Sequence, residues 1–315
     1  MALTIRDATR KWGAEYAAMC GLQKYFPTMN AQSHVFWVDG TSTVGNDAAG
    51  NLGQTPDTPL LTITKALSLC TDGANDYVFI LDYPSTAPAE TWPIAIEKQR
   101  VHIIGLLNGP IPRFKIVAPY ATADTGVFAF DINTTTETYG AYCEIANLIM
   151  GCGDASSIRG AIECHQGGLW GNHIHHCGFG LYGRSSTNSK YGIVLGRSSN
   201  TYALGEMLYG LIEHCTFGTL ISEAGIVVPE DADSGPNSCL GTVIRNNHFH
   251  VNSGDHGIDV LHTAADFGEG GIYNNTFELD GDAADGEAVC FASGAKGSVH
   301  GNAAWTADGA IPSNN

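Results

Sequence analysis

The stretches Ile244-RNNHF-His250 and Ile272-YNNTF-Glu278 decide the fold. They repeat one pattern 28 residues apart. Each opens on an aliphatic residue, reaches Phe five positions later and carries Asn two before the Phe. Looser copies are Leu169-WGNHI-His175, Ile212-EHCTF-Gly218 and Val299-HGNAA-Trp305, with a weaker one at Glu144-IANLI-Met150. Aligned this way, one column holds Asn147, Asn172, Cys215, Asn247, Asn275 and Asn302. Its successive separations are 25, 43, 32, 28 and 27 residues. Self-similarity at such periods marks a chain built from stacked units.

A second element follows four of the copies: Tyr191-GIVLG, Ala224-GIVV, His256-GIDVL and Gly286-EAVCF. Each unit therefore reads as a short strand, a turn, a second strand and a variable loop. The loops are rich in Gly, Ser, Asp and Asn and lack the 10–15-residue amphipathic stretches of a βαβ fold. One unit cannot bury its apolar face alone, so units must stack. This predicts an all-β, right-handed, single-stranded parallel β-helix. The inward ladder is Leu169, Ile174, Ile212, Phe217, Ile244, Phe249, Ile272 and Phe277. Corner Asn residues would bond between coils and tolerate left-handed backbone. An antiparallel sandwich is the competing reading. Asp76-YVFIL-Asp82 and Arg100-VHIIG-Leu106 read as strands of earlier coils. Leu60, Ile63, Ala66, Leu67 and Cys70 recur at helical spacing and predict a short helix that plugs the open end.

Composition removes several functions. Lys+Arg number 15 against 32 Asp+Glu, a net charge of −17, so the chain lacks the basic surface that nucleic acid requires. Hydrophobic residues make up 43 %, too many for a disordered chain. No apolar run reaches the ~18–20 residues of a membrane helix. The first residues, MALTIRDATRKWGAEY, carry charges where a secretory signal is apolar. The nine cysteines are an odd number without a CxxC pair. They read as thiols made in a reducing compartment, mostly packed as small hydrophobes.

Val35-FWVDGTSTVGNDAAGNLGQTPDTPLLTITKAL-Ser68 resembles the opening of right-handed β-helix proteins of the pectate-lyase-like superfamily. The resemblance is carried by Val38, Asp39, Gly40, Asp47, Gly50, Pro59, Thr62, Ile63, Ala66 and Leu67. It implies the fold for residues 35–315, and it leaves function open, because the superfamily spans polysaccharide lyases, glycoside hydrolases, phage tailspikes and non-catalytic virion proteins. Residues 1–34 precede the match. There Ile5, Trp12 and Tyr16 recur near helical spacing, as in an amphipathic arm that caps the first coil or docks on a partner.

Lyases of this superfamily need an Arg or Lys base beside charge-neutralised carboxylates. Arg245 is the candidate, with Glu213, Tyr273 and His300 expected in its column. The hydrolases use aspartates beside Gly-His-Gly and Arg-x-Lys segments. Gly254-DH-Gly257 departs from that pattern, and Asp255 and Asp259 are the remaining carboxylate candidates. His173 and His175 share one strand face, as do His248 and His250. The alignment above puts His173 and His248 in one column with Thr216 between them. Asp280, Asp282, Asp285 and Glu287 form an oxygen-rich loop of the kind that holds Ca²⁺. Trp170, Tyr182, Tyr202 and Tyr209 could stack sugars if exposed.

The expectation is a non-catalytic, bacteriophage-like virion protein. It would decorate a capsid or form a spike, be trimeric, and be made in the host cytoplasm without a signal peptide. Its partners would be itself, other virion proteins and a host surface glycan, with no cofactor, nucleic acid or membrane. A depolymerase (lyase or glycoside hydrolase) and a glycan-binding adhesin are the alternatives. A solenoid face lined with exposed aromatics would favour the adhesin.

Overall fold

The computed structural model describes residues 33–41, 43–83, 90, 92–106, 115–117, 127–132, 142–151, 158–164, 169–181, 189–196, 207–229, 237–252, 254–263, 265–280 and 287–306. The arm residues Ile5, Trp12 and Tyr16 lie outside them, as do Tyr182, Tyr202, Asp282 and Asp285. The protein is a right-handed parallel β-helix of three long sheets in which every strand pair is parallel. Among the described residues no helix is long and apolar enough to cross a membrane.

Each coil visits the sheets in turn. The first sheet stacks Val35–Asp39, Asp76–Asp82, Val101–Gly105, Glu144–Ala146, His173–His175, Leu211–Glu213, Val243–Arg245, Ala265–Tyr273 and Lys296–His300. After one corner the chain enters the second sheet, through Ile149–Gly151, Gly178–Phe179, Thr216–Phe217, His248–Val251 and Thr276–Leu279. The third sheet follows, with Ile158–Cys164, Ser189–Leu195, Ile221–Val228, His256–Val260 and Glu287–Phe291.

The core is columnar. Ile145, Ile174, Ile212, Ile244 and Ile272 are in register on the first sheet and are at most 1 % exposed. Phe179, Phe217, Phe249 and Phe277 stack on the second, with ring centroids 4.8, 4.5 and 4.8 Å apart. Opposite them the third sheet carries small residues. A Cβ on Gly225 would come within 2.6 Å of the Phe249 ring. The Gly residues of the second repeat element are thus the space into which the Phe rings pack.

This register corrects the sequence alignment. Ile174, not Leu169, is the partner of Ile212, and Phe179, not Ile174, is the partner of Phe217. The true copy is Ile174-HHCG-Phe179. The Asn ladder holds for its last three members. The Asn247 backbone N–H donates to Asn275 Oδ1 at 2.9 Å, and that of Asn275 to Asn302 Oδ1 at 2.8 Å. The Cys215 N–H donates to Asn247 Oδ1 at 2.9 Å, with Cys215 in the expected column. Asn172 leaves this column for the opposite corner of the first sheet, where its Oδ1 accepts the Cys143 N–H at 2.8 Å. The same bond made at two corners is what misled the alignment. Asn147 shifts by one place into the left-handed corner column. That column runs Asn147, His176, His214, Asn246, Asn274 and Gly301, all with φ between 53° and 67°. The ladder Asn and the left-handed residue are therefore neighbours, not the same residue.

The predicted plug is the helix Ile63–Leu69, with Ile63, Ala66 and Leu67 buried. Thr62 caps it by accepting the Lys65 N–H at 3.1 Å. Glu90 accepts the Ile63 and Thr64 N–H groups, both at 2.9 Å, so the donors that a helix start leaves unpaired are satisfied.

Candidate functional site

The outward side of the first sheet has two columns that flank the inner Ile ladder. One runs Tyr77, His102, Glu144, His173, Leu211 and Val243. The other runs Ala146, His175, Glu213, Arg245, Tyr273 and His300. The expected surroundings of Arg245 are therefore found.

Glu144 sits at the centre. Its two oxygens meet His102 Nδ1 and His175 Nε2, each at 2.7 Å. Burial pushes its carboxyl up, but the hydrogen bonds and charges of His102 and His175 outweigh that and hold it down at about 2. His173 Nε2 lies 3.1 Å from Glu213 Oε1, and its ring stacks on His175 at 4.0 Å between centroids. Burial and the adjacent His175 lower His173 below the ordinary imidazole value, against the pull of Glu144 and Glu213. His175 Nδ1 lies 2.8 Å from His176 Nδ1, and His176 stacks on His214. Burial raises Glu213, but Arg245 and His173 outweigh it and draw its carboxyl down. Arg245 binds Glu213 Oε2 through Nε and a terminal nitrogen, both at 2.8 Å. Its guanidinium is committed to a carboxylate, as in an inter-coil ion pair, rather than free to act as a base.

An aromatic border lies at the corner where the chain enters this sheet. There the left-handed residues are Asn75, Arg100, Tyr142, Gly171, Tyr209 and Gly241, with φ from 51° to 70°. Left-handed backbone is uncommon for a bulky side chain, yet two Tyr residues adopt it. The alternation with Gly explains how. A Cβ on Gly171 would approach the Tyr142 ring to 2.6 Å, and one on Gly241 would approach the Tyr209 ring to 2.3 Å. Each ring lies flat over the next coil because that coil has no side chain there. Trp170 stacks on Tyr209 with centroids 5.3 Å apart and planes 25° apart. The Arg100 guanidinium lies 5.5 Å over Tyr142. Tyr142, Trp170 and Tyr209 are 49, 45 and 50 % exposed. Coil spacing sets the strip from Tyr142 to Tyr209 at about 10 Å.

Two of the four aromatic candidates, Trp170 and Tyr209, thus come together in the open. The other candidates disperse. His173 and His248 do not share a column. His173 is on the first sheet, and His248 is on the second, between Thr216 and Thr276. Asp259 lies on the third sheet and Asp255 in the turn before it, so neither joins Arg245. Four residue steps separate them, up to about 13 Å of backbone when extended. Asp280 follows the second-sheet strand Thr276–Leu279 and accepts from His250 Nε2 at 2.9 Å. Glu287 opens a strand of the third sheet.

Sequence reading missed Tyr142, His102 and Glu144. With Ile145, Ile174, Ile212 and Ile244 aligned, Glu144 falls beside His173, and Tyr142 and Tyr209 each stand three residues before their Ile. Comparison with known proteins found no matching family model, no similar curated protein and no similar solved structure.

Proposed function

We propose that this protein is a non-catalytic glycan-binding β-helix whose contact surface is the strip Tyr142, Trp170 and Tyr209. One observation carries the reading: three large aromatic side chains on consecutive coils are half exposed at one corner, and two of them, Trp170 and Tyr209, are stacked. An exposed apolar strip on a soluble protein marks an interaction surface. Flat rings offer apolar area to sugar faces, and Arg100, Glu144 and His173 nearby offer the polar groups that fix orientation. The strip's length suits an oligosaccharide rather than a single sugar. The dispersal of Arg245, Asp255 and Asp259 favours binding without cleavage. The setting we propose is the surface of a phage-like virion. It rests on the acidic composition, on the resemblance of residues 35–68 to pectate-lyase-like β-helices, and on thiols such as Cys177 and Cys215 that neighbour each other in the core unbridged.

Glycan-array binding tests the reading, with mass spectrometry of the bound glycans after incubation. Retention of oligosaccharides without shortened products is expected. Retention with cleavage would turn the reading to the depolymerase, and no retention on any array would remove it.

A further inference from the structure

We propose that Glu144, His173 and His175 form a binding site for a divalent first-row transition metal such as Zn²⁺ or Co²⁺. Among the described residues this is the one group of three or more His, Cys, Asp and Glu side chains whose ligand atoms all lie within 4.8 Å of one another. Donors about 2.1 Å from an ion stand at most about 4.2 Å apart, so small side-chain shifts suffice. Parallel β geometry creates the arrangement. His173 and His175 are alternate residues of one strand and point the same way, and Glu144 is the register partner of His173 on the preceding coil.

The donor set selects the ion. Two imidazole nitrogens and one carboxylate suit Zn²⁺, Co²⁺ or Ni²⁺, whereas Ca²⁺ and Mg²⁺ take oxygen ligands. The surroundings hold the ligands as outer partners of metal sites do. His102, whose side chain is 6 % exposed, fixes Glu144 Oε2 and leaves Oε1 toward His175. His176 engages the other nitrogen of His175, and Glu213 engages His173. The three ligands are 17–33 % exposed, so an ion can enter and keeps coordination positions open to solvent.

Co²⁺ added to the metal-free full-length protein tests this, followed by equilibrium dialysis and by visible absorption. One Co²⁺ per chain with imidazole-type ligand-field bands is expected. Glu144→Gln and His173→Ala, each checked for native circular dichroism, should weaken binding by at least the roughly 10–100-fold that loss of an outer partner alone costs. His250→Ala, in the His–carboxylate group of the second sheet, should leave binding unchanged. The proposal is overturned if Co²⁺ does not bind. It is equally overturned if folded Glu144→Gln and His173→Ala bind as the parent does, or if His250→Ala abolishes binding.

Discussion

The two sides of the first-sheet strands obey different rules. Inward, successive coils place Ile145, Ile174, Ile212, Ile244 and Ile272 in one column, and the second sheet answers with four stacked Phe. Outward, the same strands place His175, Glu213, Arg245, Tyr273 and His300 in one column, a different residue at each step. Repetition is what packing demands, since each coil must fill the same space against its neighbour. On the outer face that demand holds only for the first coils, where Trp37, Phe79, Ile104 and Ala146 form a second packed column. Beyond them the outer residues do not repeat, and we propose that recognition resides there, at the exposed Tyr142, Trp170 and Tyr209.

The comparison breaks if the inner columns prove dispensable. Phe249→Ala should cost about 3–5 kcal/mol in chemical denaturation, because the ring is buried between Phe217 and Phe277. A loss under about 1 kcal/mol, below the usual range for such truncations, would contradict the Phe stack. Next comes the Asn ladder. Asn275→Ala removes an oxygen that accepts the Asn247 N–H and an amide that donates to the Ile244 carbonyl at 3.0 Å. Leaving those buried groups unpaired should cost about 1–3 kcal/mol in the same assay. On the outer face, Arg245→Ala should change stability by about 0–1 kcal/mol, since its side chain is 45 % exposed and the pair is screened. The smallest expected effect is the absence of one. Burial pushes the Cys143 thiol up to about 12 and also raises Cys164 and Cys215. An alkylating reagent at pH 8, read by peptide mass spectrometry, should leave all three unmodified until denaturant is added.

Legibility followed the same division. The solenoid, the plug helix and the last four coils could be read directly, because an aliphatic residue, a corner Asn or Cys and, in three of the four coils, a Phe repeat where packing repeats. The register failed at Asn172, because both corners of the first sheet use an Asn side chain to accept a backbone N–H from the preceding coil. Copies with Cys177 and Cys215 in place of Asn gave no counter-signal. That slip, from Ile174 to Leu169, hid the site. Glu144 and His173 are 29 residues apart and become neighbours only in the correct register. Trp170 and Tyr209 could be named as exposed candidates, but Tyr142 could not, since its exposure depends on Gly171 lying beneath it.

The double variant Trp170→Ala/Tyr209→Ala, assayed for melting temperature and for glycan retention on one preparation, tests the central claim most directly. Outer residues that recognise but do not support the fold predict a melting curve superimposable on the parent's with retention lost. Glycan retention equal to the parent's, or a melting transition lowered as far as in Phe249→Ala, would contradict the account.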